Sequence, residues 1–415
     1  MNQFTQVLGC AAILSVLAWS AVAEPGNGAA ADPSRNDATQ TWADGQTEPL
    51  PPLRQYSDQT LREIVHSSIG GDTVRVRISN TFGTAPLVVD AADVAVLSSG
   101  SRIVGGSNRA LTFGGQTRVT IPAGAPAVSD PVPLQVLPVS DLAVSIHLPG
   151  PTAGETTTFL QPTAATFVAA GNQTAALDLE GATTITEWPF VSGVSVVTQK
   201  PSSTVVAITD SATLISQWPA ALAARLNSLR IDDIGVVSTA VAGNRLLFNS
   251  ASPTGPGDPQ WGQAVLTRFD RDVLGQAGVR TVIVWIGLND LDGPGGLFPA
   301  SEAVTVDDVI AGLKQLIGRG HQYGLTILGC TISPDGGNVT LPGFDTPEHN
   351  AQREQLNTWI RTSGAFDGVV DADKVLRDPA QPTRLLPAFD SGDHLHPNTA
   401  GGAAVAGSID LKLLR

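Results

Sequence analysis

The stretch Ser203-Thr204-Val205-Val206-Ala207-Ile208-Thr209-Asp210-Ser211 decides the fold. Residues 203–208 form a short run, apolar at four successive positions, which is the pattern of a strand covered on both faces. The run stops at an Asp-Ser pair, and residues 219–226 then read as a helix with proline in its first turn. The same rhythm repeats downstream. Strands are predicted over 234–237, 281–288, 325–332 and 368–371, and helices over 305–318, 347–361 and 400–413. In the first of these helices Val306, Val309, Ile310, Leu313, Leu316 and Ile317 fall on one face, and Thr305 with Asp308 offers a capping box. Strands alternating with helices make a parallel sheet with helices on both faces. Reactive residues are then sought in the loops beyond the carboxyl ends of the strands.

Upstream of Lys200-Pro201 the texture changes. Val74-Arg75-Val76-Arg77-Ile78 alternates apolar and charged residues, as a half-buried strand should, and 142–148 does the same. Residues 94–97, 163–168 and 194–197 fit further short strands, and 111–121 reads as a hairpin around Gly114-Gly115. Short strands at turn-rich intervals over 42–200 predict an all-β sandwich, jelly-roll-like in character. Residues 24–41, rich in Gly, Ala, Asn, Asp and Pro, read as a flexible lead-in. Residues 1–23 read as a secretory signal peptide with Ala21-Val22-Ala23 as its cleavage site, although no Lys or Arg precedes the apolar run. A secreted, extracellular protein is expected.

The 415 residues are 42% hydrophobic and 15% charged, enough to bury substantial cores and too apolar for a disordered chain. A net charge of -14 without any basic run disfavours nucleic acid as a partner. No segment after the leader reaches the ~18 unbroken apolar residues of a membrane span. Oligomeric state has no signature here. Of two cysteines, Cys10 falls in the leader, so Cys330 has no intrachain partner and reads as a buried core thiol.

Four short blocks carry candidate chemistry: Asp210-Ser211, Gly243-Asn244, Gly287-Leu288-Asn289-Asp290 and Asp393-His394-Leu395-His396-Pro397. Each follows a predicted strand or precedes the last helix. A hydrolase with a serine nucleophile needs a base for the hydroxyl proton and an acid to hold that base in one tautomer. One loop with Asp393 three residues before His396 can supply both. Backbone N–H groups at Ser211 and at a glycine, together with the Asn289 amide, could converge on one oxyanion, each worth roughly 3–4 kcal/mol. Taken singly, Ser211 could only begin a helix, Gly243 only make a turn and Asn289 only cap a helix. His394 and His396 with Asp390 and Asp393 could instead bind a metal ion, though a catalytic site needs three protein ligands.

In this order the blocks resemble those of the SGNH, or GDSL-like, hydrolases, and 60–66, 268–272 and 359–366 resemble a secreted bacterial subgroup with an N-terminal β-sandwich. The resemblance covers nearly all of the chain after the leader. It implies a flavodoxin-like parallel sheet flanked by helices over 201–415, preceded by the sandwich over 42–200. It also implies Ser211 as nucleophile, His396 as general base and Asp393 as its orienting partner. The Ser211 N–H, Gly243 N–H and Asn289 amide would form the oxyanion hole, with Asp210, Asn244 and Asp290 in support. The implied activity is hydrolysis of carboxylic esters, often acetyl or short acyl groups on carbohydrate or aryl alcohols, with no cofactor. The expected partner is thus a small-molecule or polysaccharide ester. Block one departs from the family: Thr209 stands where it has glycine, Ala212 where it usually has isoleucine or leucine, and the loop before Trp218 is shorter. That departure motivates an alternative, a catalytically impaired protein that acts as an extracellular glycan- or wall-binding module.

Overall fold

Five parallel strands organise the C-terminal half: β1 (Ser203–Thr209), β2 (Ile234–Ser238), β3 (Val279–Trp285), β4 (Thr326–Cys330) and β5 (Gly368–Val370). They were obtained from a computed structural model that describes residues 37–40, 54–159, 164–250, 261–338, 341 and 344–415. The expected signal peptide and most of the expected lead-in lie outside those residues. The sheet order is β2-β1-β3-β4-β5, the flavodoxin-like arrangement. Val205, Val206, Ala207 and Ile208 are all fully buried, so β1 is covered on both faces as its composition requires. The topology reverses direction between β1 and β3, which opens a crevice beyond their carboxyl ends.

Eight helices flank this sheet in the described residues: α1 (Ser211–Ser216), α2 (Trp218–Ser228), α3 (Val265–Phe269), α4 (Leu288–Asp292), α5 (Val306–Gln322), α6 (Pro347–Thr362), α7 (Ala372–Leu376) and α8 (Thr399–Ser408). The apolar stripe of α5 packs on the sheet. Its capping box is formed: the Asp308 N–H donates to the Thr305 hydroxyl, and the Thr305 N–H donates to the Asp308 carboxylate. Three details differ from expectation. The third strand ends at Trp285 rather than Leu288, because Gly287 takes φ +125° and turns the chain into α4. The closing helix breaks after Ser408, and a 3₁₀ turn over Leu411–Leu414 follows, with Asp410 accepting the Lys412 N–H. A short hairpin of Arg377–Asp378 with Gln381–Leu385 was not anticipated, since its second strand is exposed at four of five positions.

The N-terminal half is the expected sandwich of two antiparallel sheets. Gly71–Ser79 lies between Val191–Val197 and Val132–Val136 in one sheet. In the other, Gln59–Ser67 lies between Ser140–Leu148 and Thr166–Ala170. Leu142, Val144, Ile146 and Leu148 join Val74, Val76 and Ile78 in one core cluster. Asp37–Gln40, inside the stretch expected to be flexible, instead pairs with Val191–Val197 as an edge strand. The expected hairpin over 111–121 is also corrected. Only Phe113 and Gln116 bridge, because the Asp130 carboxylate takes both turn N–H groups, Gly114 and Gly115, and Val119–Ile121 pairs with Leu87–Val89. The halves touch directly: the Val236 N–H of β2 donates to the Ser68 hydroxyl at 2.9 Å, and Leu214 of α1 packs against the sandwich core. No helix among the described residues is long and apolar enough to cross a membrane.

Candidate active site

Ser211 is the first residue of α1, one residue beyond Asp210, whose carboxylate caps the helix by accepting the Ala212 N–H at 3.0 Å. The second contributor is the tight loop before α8. The Ser391 N–H donates to the His396 carbonyl at 3.0 Å, and Asn398 caps α8 while its amide donates to the carbonyls of Ala388 and Asp390. Helix α8 then packs on α1, and the absence of a side chain at Gly402 allows the approach: a Cβ there would stand 2.0 Å from the Ser216 carbonyl oxygen.

These two loops bring Ser211 Oγ to 2.9 Å from His396 Nε2, and His396 Nδ1 to 2.5 Å from Asp393 Oδ2. The other Asp393 oxygen accepts from the Ser391 hydroxyl and from the Leu395 and His396 N–H groups at 2.8–3.0 Å. Burial pulls the Asp393 pKa up, but the His396 ring and these other donors outweigh it and hold the carboxyl well below the usual carboxylate range. Asp393 is therefore a fixed anion at neutral pH. His394, at φ +62°, turns outward to pair with Asp390 at 2.5 Å. The motif thus forms two separate Asp–His pairs, and among the described residues no three ligating side chains are grouped to hold a metal ion.

Residues of three loops, Ser211, Gly243 and Asn289, line the same cavity. Neither the Ser211 N–H nor the Gly243 N–H has an acceptor among the described residues. Gly243 has φ +65°, and a Cβ there would lie 2.6 Å from Trp261 Cγ, so no other residue fits without displacement. Asn289 borders the same cavity, with its two amide hydrogens on the Asn244 carbonyl at 3.1 Å and Asp210 Oδ2 at 3.3 Å. Asp290 joins α4 to the loop after β2 by accepting the Leu246 and Leu247 N–H groups at 2.8 and 3.0 Å. Burial pushes Asp290 up to about 6 against those two bonds. Burial likewise pushes Asp210 up to about 7, opposed by the Ala212 hydrogen bond and aided by the Asp290 charge.

The cavity over Ser211 measures about 150 Å³, and Trp261, Trp285, Leu297 and Phe344 give it apolar walls. Trp261 and Phe344 come from loops with no motif, which is why short-block reasoning passed over them. Arg268, also unassigned by that reasoning, sits beneath the loop of Gly243 and Asn244 and donates to Asn244 Oδ1. No local signal marked it, since an i,i+4 Arg–Asp pair such as Arg268 with Asp272 ordinarily lies on a solvated helix face.

Similarity to known proteins covers about half of the chain. A solved GDSL-like lipase from Bacteroides thetaiotaomicron is 13% identical, with 51% of this chain and 87% of that chain covered and a TM-score of 0.38. An acetylxylan esterase from Geobacillus stearothermophilus is 20% identical, with 52% and 94% covered and a TM-score of 0.37. No curated protein matches the chain. The model of the GDSL-like lipase/acylhydrolase family matches residues 197–404, half of the chain, and spans all four blocks. The chain belongs to the GDSL-like lipase/acylhydrolase family.

Proposed function

We propose that this hydrolase is a secreted serine esterase that cleaves carboxylic esters of short acyl groups, acetyl among them, on carbohydrate or aryl alcohols. One observation carries the reading: the unbroken hydrogen-bonded series from Asp393 through His396 to Ser211. An ionised Asp393 keeps a proton on His396 Nδ1 and leaves Nε2 as the acceptor for the Ser211 hydroxyl. Ser211 Oγ attacks the ester carbonyl carbon as its proton passes to His396 Nε2. The carbonyl oxygen becomes an oxyanion beside the Ser211 and Gly243 N–H groups. Asn289 joins them by giving up its longer bond, the one to Asp210. The intermediate expels the alcohol, which takes the proton from His396, and water then cleaves the acyl-enzyme by the same route.

A cavity of about 150 Å³ supports a short acyl group, since an apolar cavity of about that volume holds benzene and little more. The signal-like residues 1–23 support export. The impaired-module alternative drew on Thr209, Ala212 and the shorter loop before Trp218; the Thr209 side chain is fully buried and is not among the residues lining the cavity, whereas Ala212 is. The test is hydrolysis of p-nitrophenyl acetate by the wild type and by Ser211→Ala. Equal rates would remove Ser211 from the mechanism. Recovery of the protein only from the cytosol, with Met1 retained, would remove the export reading.

A further inference from the structure

We propose that Arg268 is a positioning residue of the oxyanion-binding loop, holding Asn244 and, through it, Gly243 and Asn289. The inference rests on the esterase reading above. Arg268 has a side chain 1% exposed, and all five of its N–H bonds are used. Nε and Nη2 both donate to Asn244 Oδ1, at 3.1 and 2.9 Å. Nη2 also reaches the Thr209 carbonyl at 3.4 Å, and Nη1 donates to the Thr239 carbonyl at 2.7 Å and to Asp272 Oδ2 at 2.9 Å. Thr209 ends β1 next to Asp210-Ser211, and Thr239 directly follows β2. One cation therefore ties two strand ends to the loop that carries the second oxyanion donor.

Asn244 transmits the constraint because none of its polar atoms is idle. Its amide hydrogens go to the Trp261 and Gln263 carbonyls at 2.9 and 2.8 Å, and its own carbonyl receives the Asn289 amide at 3.1 Å. Asp272 balances the buried charge and is shared with Arg271 at 2.7 Å. A π-helical turn over Asp270–Leu274 places that carboxylate under the guanidinium. Charge balance alone needs only Asp272, which takes one of the five N–H bonds. The two-pronged grip on Asn244 is additional, and it is the geometry a lysine cannot reproduce.

The test uses the full chain with Arg268→Lys, which keeps the charge for Asp272 and loses the fork. Expected is a fall in kcat of about 10–100-fold, smaller than deletion of a donor. KM should stay within about twofold and the pH dependence of kcat/KM should not move, because His396 and Asp393 sit on a different loop. Hydrogen exchange of the peptide covering 241–246 should accelerate while the sandwich strands are unchanged. Asn244→Ala leaves the Arg268–Asp272 pair and should lose kcat to the same degree, with the double variant no worse than the worse single. Unchanged kcat and exchange in Arg268→Lys, or losses that multiply in the double variant, would overturn the inference. Should Arg268→Lys not fold, full kcat in Asn244→Ala overturns it instead. A wild type without Ser211-dependent hydrolysis would defeat the esterase reading, and the exchange measurement would still decide on Arg268.

Discussion

Substituting Gly402 by alanine tests whether the distance between α1 and α8 sets the distance between Ser211 and His396. The added methyl would lie 2.0 Å from the Ser216 carbonyl oxygen and 2.8 Å from its carbon. Carbon and carbonyl oxygen need about 3.3 Å, so the helices must part by roughly 1 Å. Both partners of the reacting pair ride on these helices, since Ser211 begins α1 and His396 lies three residues before Thr399. Their 2.9 Å contact would open to about 4 Å, beyond hydrogen-bond range. A misplacement of that size costs about 100-fold in rate, or about 2.7 kcal/mol of barrier. The fold should survive, because alanine raises helix propensity by about 1 kcal/mol over glycine and offsets part of the clash.

The assay is steady-state hydrolysis of p-nitrophenyl acetate, with thermal unfolding followed by circular dichroism on the same preparations. Gly407→Ala is the control: it lies on the same helix, but its Cβ would meet nothing within 4 Å. Expected is a kcat near 1% of wild type for Gly402→Ala and unchanged kcat for Gly407→Ala. A folded Gly402→Ala enzyme with kcat within about twofold of wild type would refute the claim that this contact aligns the site.

Gly243→Ala should lower kcat by about 100-fold or more, because the methyl meets Trp261 at 2.6 Å and the second oxyanion donor is displaced; kinetics at saturating substrate decide it. Asp393→Asn should lower kcat by about 10³–10⁴-fold with little change in KM, since a neutral amide no longer fixes the Nδ1 proton of His396. Thermal stability should decline between about pH 4 and pH 7: the folded state holds protons on Asp210, near 7, and Asp290, near 6, that the unfolded chain releases above about pH 4. That contribution is complete below the unfolded values and is lost as pH rises through the folded ones, so a flat melting temperature over this window would contradict it. Thr209→Val should raise stability by about 1–3 kcal/mol at unchanged kcat, since the Thr209 hydroxyl is buried without a partner among the described residues; denaturant unfolding measures it.

The parallel sheet was legible because its strands are apolar on both faces and its helices carry their caps in sequence. The central sandwich strand Gln59–Ser67 was not read as a strand. Arg62 and Glu63 interrupt it, and an alternation rule assigns charged residues to solvent, yet both are fully buried. Arg62 escapes the rule because its guanidinium donates to the Ser145 hydroxyl and to the carbonyls of Ser101, Thr174 and Ala176. Helix α3 was missed for a related reason: it has five residues and runs into a π turn, too short for a 3.6-residue period to register. The four chemical blocks were legible because each is local. The aromatic walls and the support under Asn244 come from elements outside those blocks, and no local pattern announces such contacts.

Thr209 shows why a departure inside a motif must be judged by the direction its side chain takes. A β-branched residue in place of glycine is disruptive where the backbone needs a positive φ or where a substrate must pass. Thr209 meets neither condition. It is the last residue of β1, in register with Trp285 of β3, so its backbone is extended strand, which threonine adopts readily. Its side chain is fully buried and is not part of the cavity lining. Its carbonyl accepts from the Val241 N–H and from Arg268, bonds that any residue could make. The cost of the substitution therefore falls on the core, as an unsatisfied hydroxyl, while the turn that presents Ser211 is shaped by the Asp210 cap one residue later.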